Sequence, residues 1–209
     1  MPYQVVPLII LAYVIGSIPW AVWISRGVYG VDVRTEGSRN AGATNTFRVL
    51  GKRAGVAVLL LDLVKGIGAV MLASTIRHLF NDHDYYKLFQ LSLAFAATFG
   101  HIFPLFAKFK GGKGVATLTG AMFYVFPEAA LIALGIFALV FLASKFISLG
   151  SMSSSIAFAC AVTLIYHYDY VPLLILVWAV PLLVLYTHRG NIQRLRSGSE
   201  NKFRVNSEK

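Results

Sequence analysis

Oily stretches recur along this chain at lengths that soluble folds rarely use. Residues 4–25, 54–76, 87–107, 147–167 and 170–187 each approach or exceed the about 20 apolar residues that a helix needs to cross hydrocarbon. Backbone groups in lipid must be satisfied within their own segment, so these stretches are predicted to be helices. The chain is 57% hydrophobic and only 13% charged, with mean hydropathy +0.68, a balance that fits a polytopic membrane protein. Residues 114–144 are ambiguous, because Pro127-Glu128 interrupts an otherwise apolar run. That run is either one long helix or two short ones joined by a tight turn.

Charge decides between the two. With two helices there are seven spans, and sixteen of the 19 Lys and Arg residues collect on one side of the membrane. With one long helix they divide evenly. Basic residues concentrate on the cytoplasmic side of membrane proteins. The expected architecture is therefore an all-α integral membrane protein, a seven-transmembrane-helix bundle with its N-terminus outside and its C-terminus cytoplasmic. Segment 114–126 would be short for a span and is expected to lie tilted or buried among its neighbours. No linker, repeat or low-complexity tract divides the chain, so 1–209 reads as one polytopic domain.

No Lys or Arg precedes Arg26 and no small-residue cleavage site is evident, so the first stretch reads as a retained span. The lone Cys160 excludes an intramolecular disulfide and a Cys-based metal site. A net charge of +10 would suggest nucleic acid in a soluble domain. In this context it points to membrane sidedness, anionic lipid and anionic substrates, with no nucleic-acid partner.

Polar residues cluster in a few places. "GSRNAGATN", residues 37–45, offers Ser38 and Thr44 hydroxyls, Asn40 and Asn45 amides, and permissive backbone at Gly37 and Gly42. Glycines let backbone N–H groups turn inward as an anion nest. A solvated turn with a helix cap is the plain alternative. The density of donors, with Arg48 a helical turn beyond, favours an anion site. "KFKGGKG", residues 108–114, lacks the P-loop spacing. Lys113 can nevertheless meet a phosphate as a point charge while the backbone at Gly112 approaches it.

"DLVKG" places Asp62 and Lys65 on one helix face, as an intramembrane ion pair or as site residues. His101 in "GHIFP", Ser151 in "SLGS", and His188 and Asn191 in the tail fall on the same membrane side as the two loops. For Ser148 the plain expectation is a helix N-cap. No His-x-x-x-x-Asp dyad, Ser-His-Asp triad or metal-spaced His/Glu cluster occurs. The residues describe a site for anions with no evident protein base. A transporter of a phosphorylated metabolite is the rival class, but it would distribute polar groups across the membrane depth.

The co-linear motifs "GSRNAGATN", "DLVKG", "GHIFP…KFKGGKGVAT", "SLGS" and "HRGNIQRLRSGSE" resemble the bacterial acyl-phosphate:glycerol-3-phosphate acyltransferases of the PlsY type, from about residue 15 to residue 200. The resemblance implies a seven-helical enzyme of the inner membrane with a cytoplasmic-side active site. It implies transfer of a fatty acyl group from acyl phosphate to the 1-position of glycerol 3-phosphate, without a cofactor or metal. It further implies catalytic roles for Ser38, Arg48 and Lys113. Gly37, Asn40, Gly42, Thr44, Asn45, Lys65, His101, Gly112, Ser151, His188 and Asn191 are implied in substrate binding. Membrane lipids are implied partners, with a functional link to an enzyme that forms acyl phosphate. Acyl chain length and oligomeric state are left open. One position departs from the family pattern: Arg39 stands where glycine is usual, and it would be strained if that position requires positive φ.

Overall fold

The computed structural model describes residues 2–203, and among them regular structure is entirely helical. Arg204 and Lys209 of the basic tail lie outside these residues. The helices are α1 (Pro2–Gly16), α2 (Trp20–Tyr29), α3 (Ala43–Met71), α4 (His83–Ile102), α5 (Val115–Val125), α6 (Pro127–Ser144), α7 (Ile147–Tyr166), α8 (Val171–Thr187) and α9 (Arg189–Arg196). A tight helical segment, Leu72–Leu79, extends α3.

Five of these stretches are long and apolar enough to cross a membrane. The bent α8–α9 pair makes six, and α5 is a shorter apolar helix. The protein is a multi-pass membrane protein. Hydropathy suggests one helix over 4–25, but the chain breaks after Gly16 and resumes at Trp20, because Pro19 cannot donate into a continuing helix. Helix α3 starts eleven residues before the expected 54 and breaks at Gly51 (φ 82°), so its first two turns form a separate short helix.

The ambiguous region resolves into two helices. Phe126 adopts a non-helical conformation and Pro127 begins α6 at a position where its missing N–H leaves nothing unsatisfied. Helix α5 has 11 residues, about 16 Å at the usual helical rise. Its Thr117, Ala121 and Val125 are fully buried, and α3, α4 and α6 contact it. A helix so short survives in a membrane because neighbours, not lipid, surround it.

The α3–α5 contact depends on two glycines. A Cβ on Gly66 would lie 2.0 Å from the Thr117 carbonyl oxygen, and one on Gly120 would lie 2.1 Å from that of Leu63. Lipid supplies no hydrophobic drive for helices to associate, so close backbone approach carries much of the attraction. Gly120→Ala should separate the pair and lower stability by about 1–3 kcal/mol, the usual effect of overpacking. Denaturant titration in detergent would measure this.

Candidate active site

A cavity of about 900 Å³ opens between α3, α5, α6, α7 and α8. One end is polar, lined by Ser38, Asn40, Thr44, Arg48, Lys113, His188 and Asn191. The other is apolar, lined by residues that include Leu118, Met122, Phe158, Val180 and Val184. Loop 37–45 and loop 108–114 therefore meet in one space, as the charge-sidedness argument requires.

The first loop is shaped by Asn45. Its side chain is almost fully buried; Oδ1 accepts from the Ser38 backbone N–H at 2.8 Å, and Nδ2 donates to the carbonyls of Val33 and Glu36 at 2.7 and 3.1 Å. Asn45 thus clamps the loop into its turn and has no amide proton left for a ligand. The side-chain polar atoms of Ser38, Asn40 and Thr44 make no hydrogen bond among the described residues, so they can serve a ligand. Gly37 lies outside the cavity wall; with φ 57° and Asn45 Oδ1 only 2.5 Å from where a Cβ would stand, it serves the turn. Arg39 has φ 58°, so the position does demand the left-handed conformation. Arg39→Gly is expected to stabilise the fold by about 1 kcal/mol, the cost of left-handed backbone for an L-residue. Thermal unfolding in detergent would show it.

The second loop is seated on His101. Gly111 and Gly112 donate backbone N–H groups to the carbonyls of Ile102 and His101 at 3.2 and 3.1 Å. A Cβ on Gly112 would lie 2.2 Å from His101 Nε2. Gly112 therefore lets the loop lie against the imidazole; it is not part of the cavity wall. His101 does reach the wall, with Nδ1 3.2 Å from Thr117 Oγ1 and 3.5 Å from Asp62 Oδ1. Lys65 does not. Its ammonium lies 2.8 Å from Asp62 Oδ1 and donates to the Ile18 carbonyl at 2.9 Å. Of the two readings open for Lys65, the structure shows the buried ion pair, which ties α3 to the break between α1 and α2.

A polar network joins the second loop to the tail. Lys113 Nζ donates to Asn191 Oδ1 at 2.5 Å, and Asn191 Nδ2 donates to Glu200 Oε1 at 2.6 Å. Ser148 Oγ donates to the same carboxylate oxygen at 2.7 Å, and Arg194 Nε donates to Oε2 at 2.7 Å. Ser148 is thus not the cap of α7, whose first flanking residue is Phe146. Arg48 Nη2 donates to the Asn201 carbonyl at 3.3 Å. Phe203 packs edge-on against Phe47 and Phe141, and its N–H bonds the Lys145 carbonyl at 2.8 Å. Residues 197–203 accordingly close one side of the cavity.

Burial pushes the Lys113 ammonium down to about 8, with Arg194 and Arg48 adding to the shift and Glu200 opposing it. Burial raises the Glu200 carboxyl, but hydrogen bonds from Asn191, Ser148 and Arg194 outweigh it and hold the group below its ordinary value. His188 is buried, and its Nδ1 lies 2.8 Å from the Val184 carbonyl. That contact assigns the proton to Nδ1 and leaves Nε2 as an acceptor. Ser151 also lines the cavity, its hydroxyl donating to the Ile147 carbonyl at 2.9 Å.

Arg194 and Glu200 fall inside the motif "HRGNIQRLRSGSE" but received no individual role from the sequence, and Phe203 lies beyond it. The one signal is that Glu200 is an acidic residue close behind the basic run of α9. The arrangement as a whole can hold an anionic head between Arg48 and Lys113 while an apolar chain extends among α5, α7 and α8.

Residues 6–198 match the family model described as glycerol-3-phosphate acyltransferase. The glycerol-3-phosphate acyltransferase of Fusobacterium nucleatum is 42% identical over 94% of this chain and 96% of its own. That of Listeria welshimeri is 43% identical over 98% and 99%. Among solved structures, the chain is similar to the glycerol 3-phosphate form of PlsY (YgiH), an integral membrane glycerol 3-phosphate acyltransferase. The TM-score is 0.84, with 34% identity and 96% of each chain covered. It matches the lysophosphatidic acid form of the same protein with a TM-score of 0.82 and 33% identity. With one cavity joining a cationic, polar rim to an apolar channel, and with relatives matched over nearly the whole length, the chain belongs to the glycerol-3-phosphate acyltransferase family.

Proposed function

We propose that the protein transfers a fatty acyl group from acyl phosphate to the sn-1 hydroxyl of glycerol 3-phosphate, the first step of phospholipid synthesis. The glycerol oxygen bonds to the acyl carbon, the bond from that carbon to the phosphate oxygen breaks, and inorganic phosphate departs with the proton. The observation that carries this reading is the single cavity with a cationic, amide-rich rim and an apolar interior. It fits a donor with a phosphate head and an alkyl chain. The glycerol 3-phosphate and lysophosphatidic acid forms of the related PlsY support the acceptor and the product.

Acyl phosphate is a mixed anhydride and already activated, so charge is the main obstacle. Two dianions about 6 Å apart at an effective dielectric of about 20 repel by about 10 kcal/mol. Arg48 and Lys113 offset that repulsion, while Ser38, Asn40 and Thr44 grip the donor head. Preorganised donors of this kind do more than any other single effect to lower the barrier in many active sites. His188 Nε2 accepts from the attacking hydroxyl and orients it, and Ser151 and Asn191 flank the acceptor. Holding the hydroxyl at the carbonyl supplies the next large contribution. The donor's own phosphate takes the proton, which needs no strong protein base.

Counting α5 and α8 with the five longer stretches makes seven spans, the N-terminus outside and the C-terminus cytoplasmic. The site then faces the cytoplasm at the bacterial inner membrane, where the substrates are made. An enzyme that forms acyl phosphate is the functional partner.

Purified protein in lipid should release phosphate only when acyl phosphate and glycerol 3-phosphate are both present. Ser38→Ala should stop that release without loss of folding. Phosphate release from acyl phosphate alone at the full rate, or an active Ser38→Ala variant, would refute the assignment.

A further inference from the structure

A second cleft of about 580 Å³ shares no lining residue with the main cavity. Helix α2 contributes Trp23 and Arg26, the following loop contributes Asp32 and Arg34, and the α4–α5 connection contributes Phe106, Lys108 and Lys110. Four cations face one carboxylate. Asp32 is engaged by Arg26 at 2.6 Å and Arg34 at 2.9 Å, and the Arg34 hydrogen bond holds its carboxyl well below the usual range. Lys108 and Lys110 are exposed, and their side chains have no ion pair or hydrogen bond among the described residues.

The segment that carries these lysines is held in an unfavourable shape. Lys108 (φ 55°) and Phe109 (φ 57°) are both left-handed, which L-residues seldom adopt in succession. The shape is fixed by the Phe109 N–H bonding to the Pro104 carbonyl at 2.9 Å and by Arg34 donating to the Ala107 carbonyl at 3.0 Å. Exposed Trp23 and Phe106 line the cleft beside the cations, and Leu105 and Phe109 of the same connection are exposed as well. Trp23 and Phe106 are in ring contact, 6.2 Å between centroids. Aromatic rings beside cations mark the level of lipid headgroups.

We infer that this cleft binds the headgroup of an anionic phospholipid, its phosphate between Lys108, Lys110 and Arg26 and its acyl chains against Trp23 and Phe106. This lies outside the proposed reaction and requires none of its residues. A free phosphate or an acidic protein would have no use for the exposed rings, whereas a lipid uses cations and rings together. Each lysine near an anionic lipid surface strengthens attraction by roughly fivefold.

The test uses the full chain reconstituted in vesicles of equal parts phosphatidylglycerol and phosphatidylcholine, then extracted into mild detergent for native mass spectrometry. The wild type should retain phosphatidylglycerol in preference to phosphatidylcholine. The Lys108→Gln/Lys110→Gln double variant should lose that preference by tenfold or more, and Lys108→Arg/Lys110→Arg should keep it. Turnover at the main cavity reports that the variants are folded. Added inorganic phosphate should not release the lipid. No preference in the wild type, an unchanged preference in the glutamine variant, or release by inorganic phosphate would each overturn the inference.

Discussion

Lys113→Ala should lower turnover by at least about 100-fold, the size expected when one charged stabiliser of a reacting group is removed. Folding should survive. Lys113 sits on a loop, and among the described residues its ammonium donates to one side chain, Asn191. Stability measurements on the variant should therefore stay close to wild type while kcat/KM collapses.

The same residue should set the alkaline limit of activity. Only the protonated ammonium can offset phosphate charge, and in the free protein burial has already pushed it down to about 8. kcat/KM reports the free enzyme, so it should fall about tenfold per pH unit above that value. The sign of the linkage separates this from unfolding. The unfolded lysine holds its proton up to about 10.4, so between pH 8 and that value the unfolded state binds more protons, and this group's contribution to stability rises with pH. Activity and stability should thus move in opposite directions. Lys113→Arg stays protonated throughout, so any residual activity it keeps should lack the alkaline limb. A wild-type profile flat to pH 10 would remove Lys113 from the charge argument.

Much of this site was legible in the sequence because its parts are local. Asp62 and Lys65 stand three apart, and helix geometry alone brings them together. The glycines and amides of 37–45 lie in one run, so their meeting with a helix start follows from chain order. Residue pattern puts Asn45 and Gly112 near the site but does not show how they shape it. Both hold loops in shape, and only the hydrogen-bond partners of Asn45 and the nearness of His101 to Gly112 distinguish that from ligand contact. Lys65 was harder: facing the cavity or facing α1 differs by a rotation of the helix that no pattern of polar residues specifies. The contacts of Glu200, though it closes the last motif, were hidden for another reason. A polar stretch after a last helix carries no periodicity, and its return to Ser148 across 52 residues is a tertiary event.

That return makes Glu200 a residue whose loss should disturb the fold. Its carboxylate accepts from Ser148 on α7 and from Asn191 and Arg194 on α9. Hydrogen bonds to a charged group are each worth about 1.5–3 kcal/mol. In Glu200→Gln the amide oxygen can still serve Ser148 and Asn191, but its NH2 group then faces the Arg194 donor. The expected loss is about 2 kcal/mol, read by denaturant titration in detergent. Because the folded Glu200 is held below its ordinary value of 4.5, its contribution is complete above that pH and disappears as pH falls through the folded value. Wild type should therefore lose stability on acidification below about 4.5, and Glu200→Gln should lack that component. Glu200 is also the group that opposes the downward shift of Lys113. Removing its charge should move the alkaline limb of kcat/KM to lower pH, an effect a purely mechanical brace would not produce. If the variant is destabilised but its limb stays in place, the tail clasps the helices without sharing in the electrostatics of the cavity.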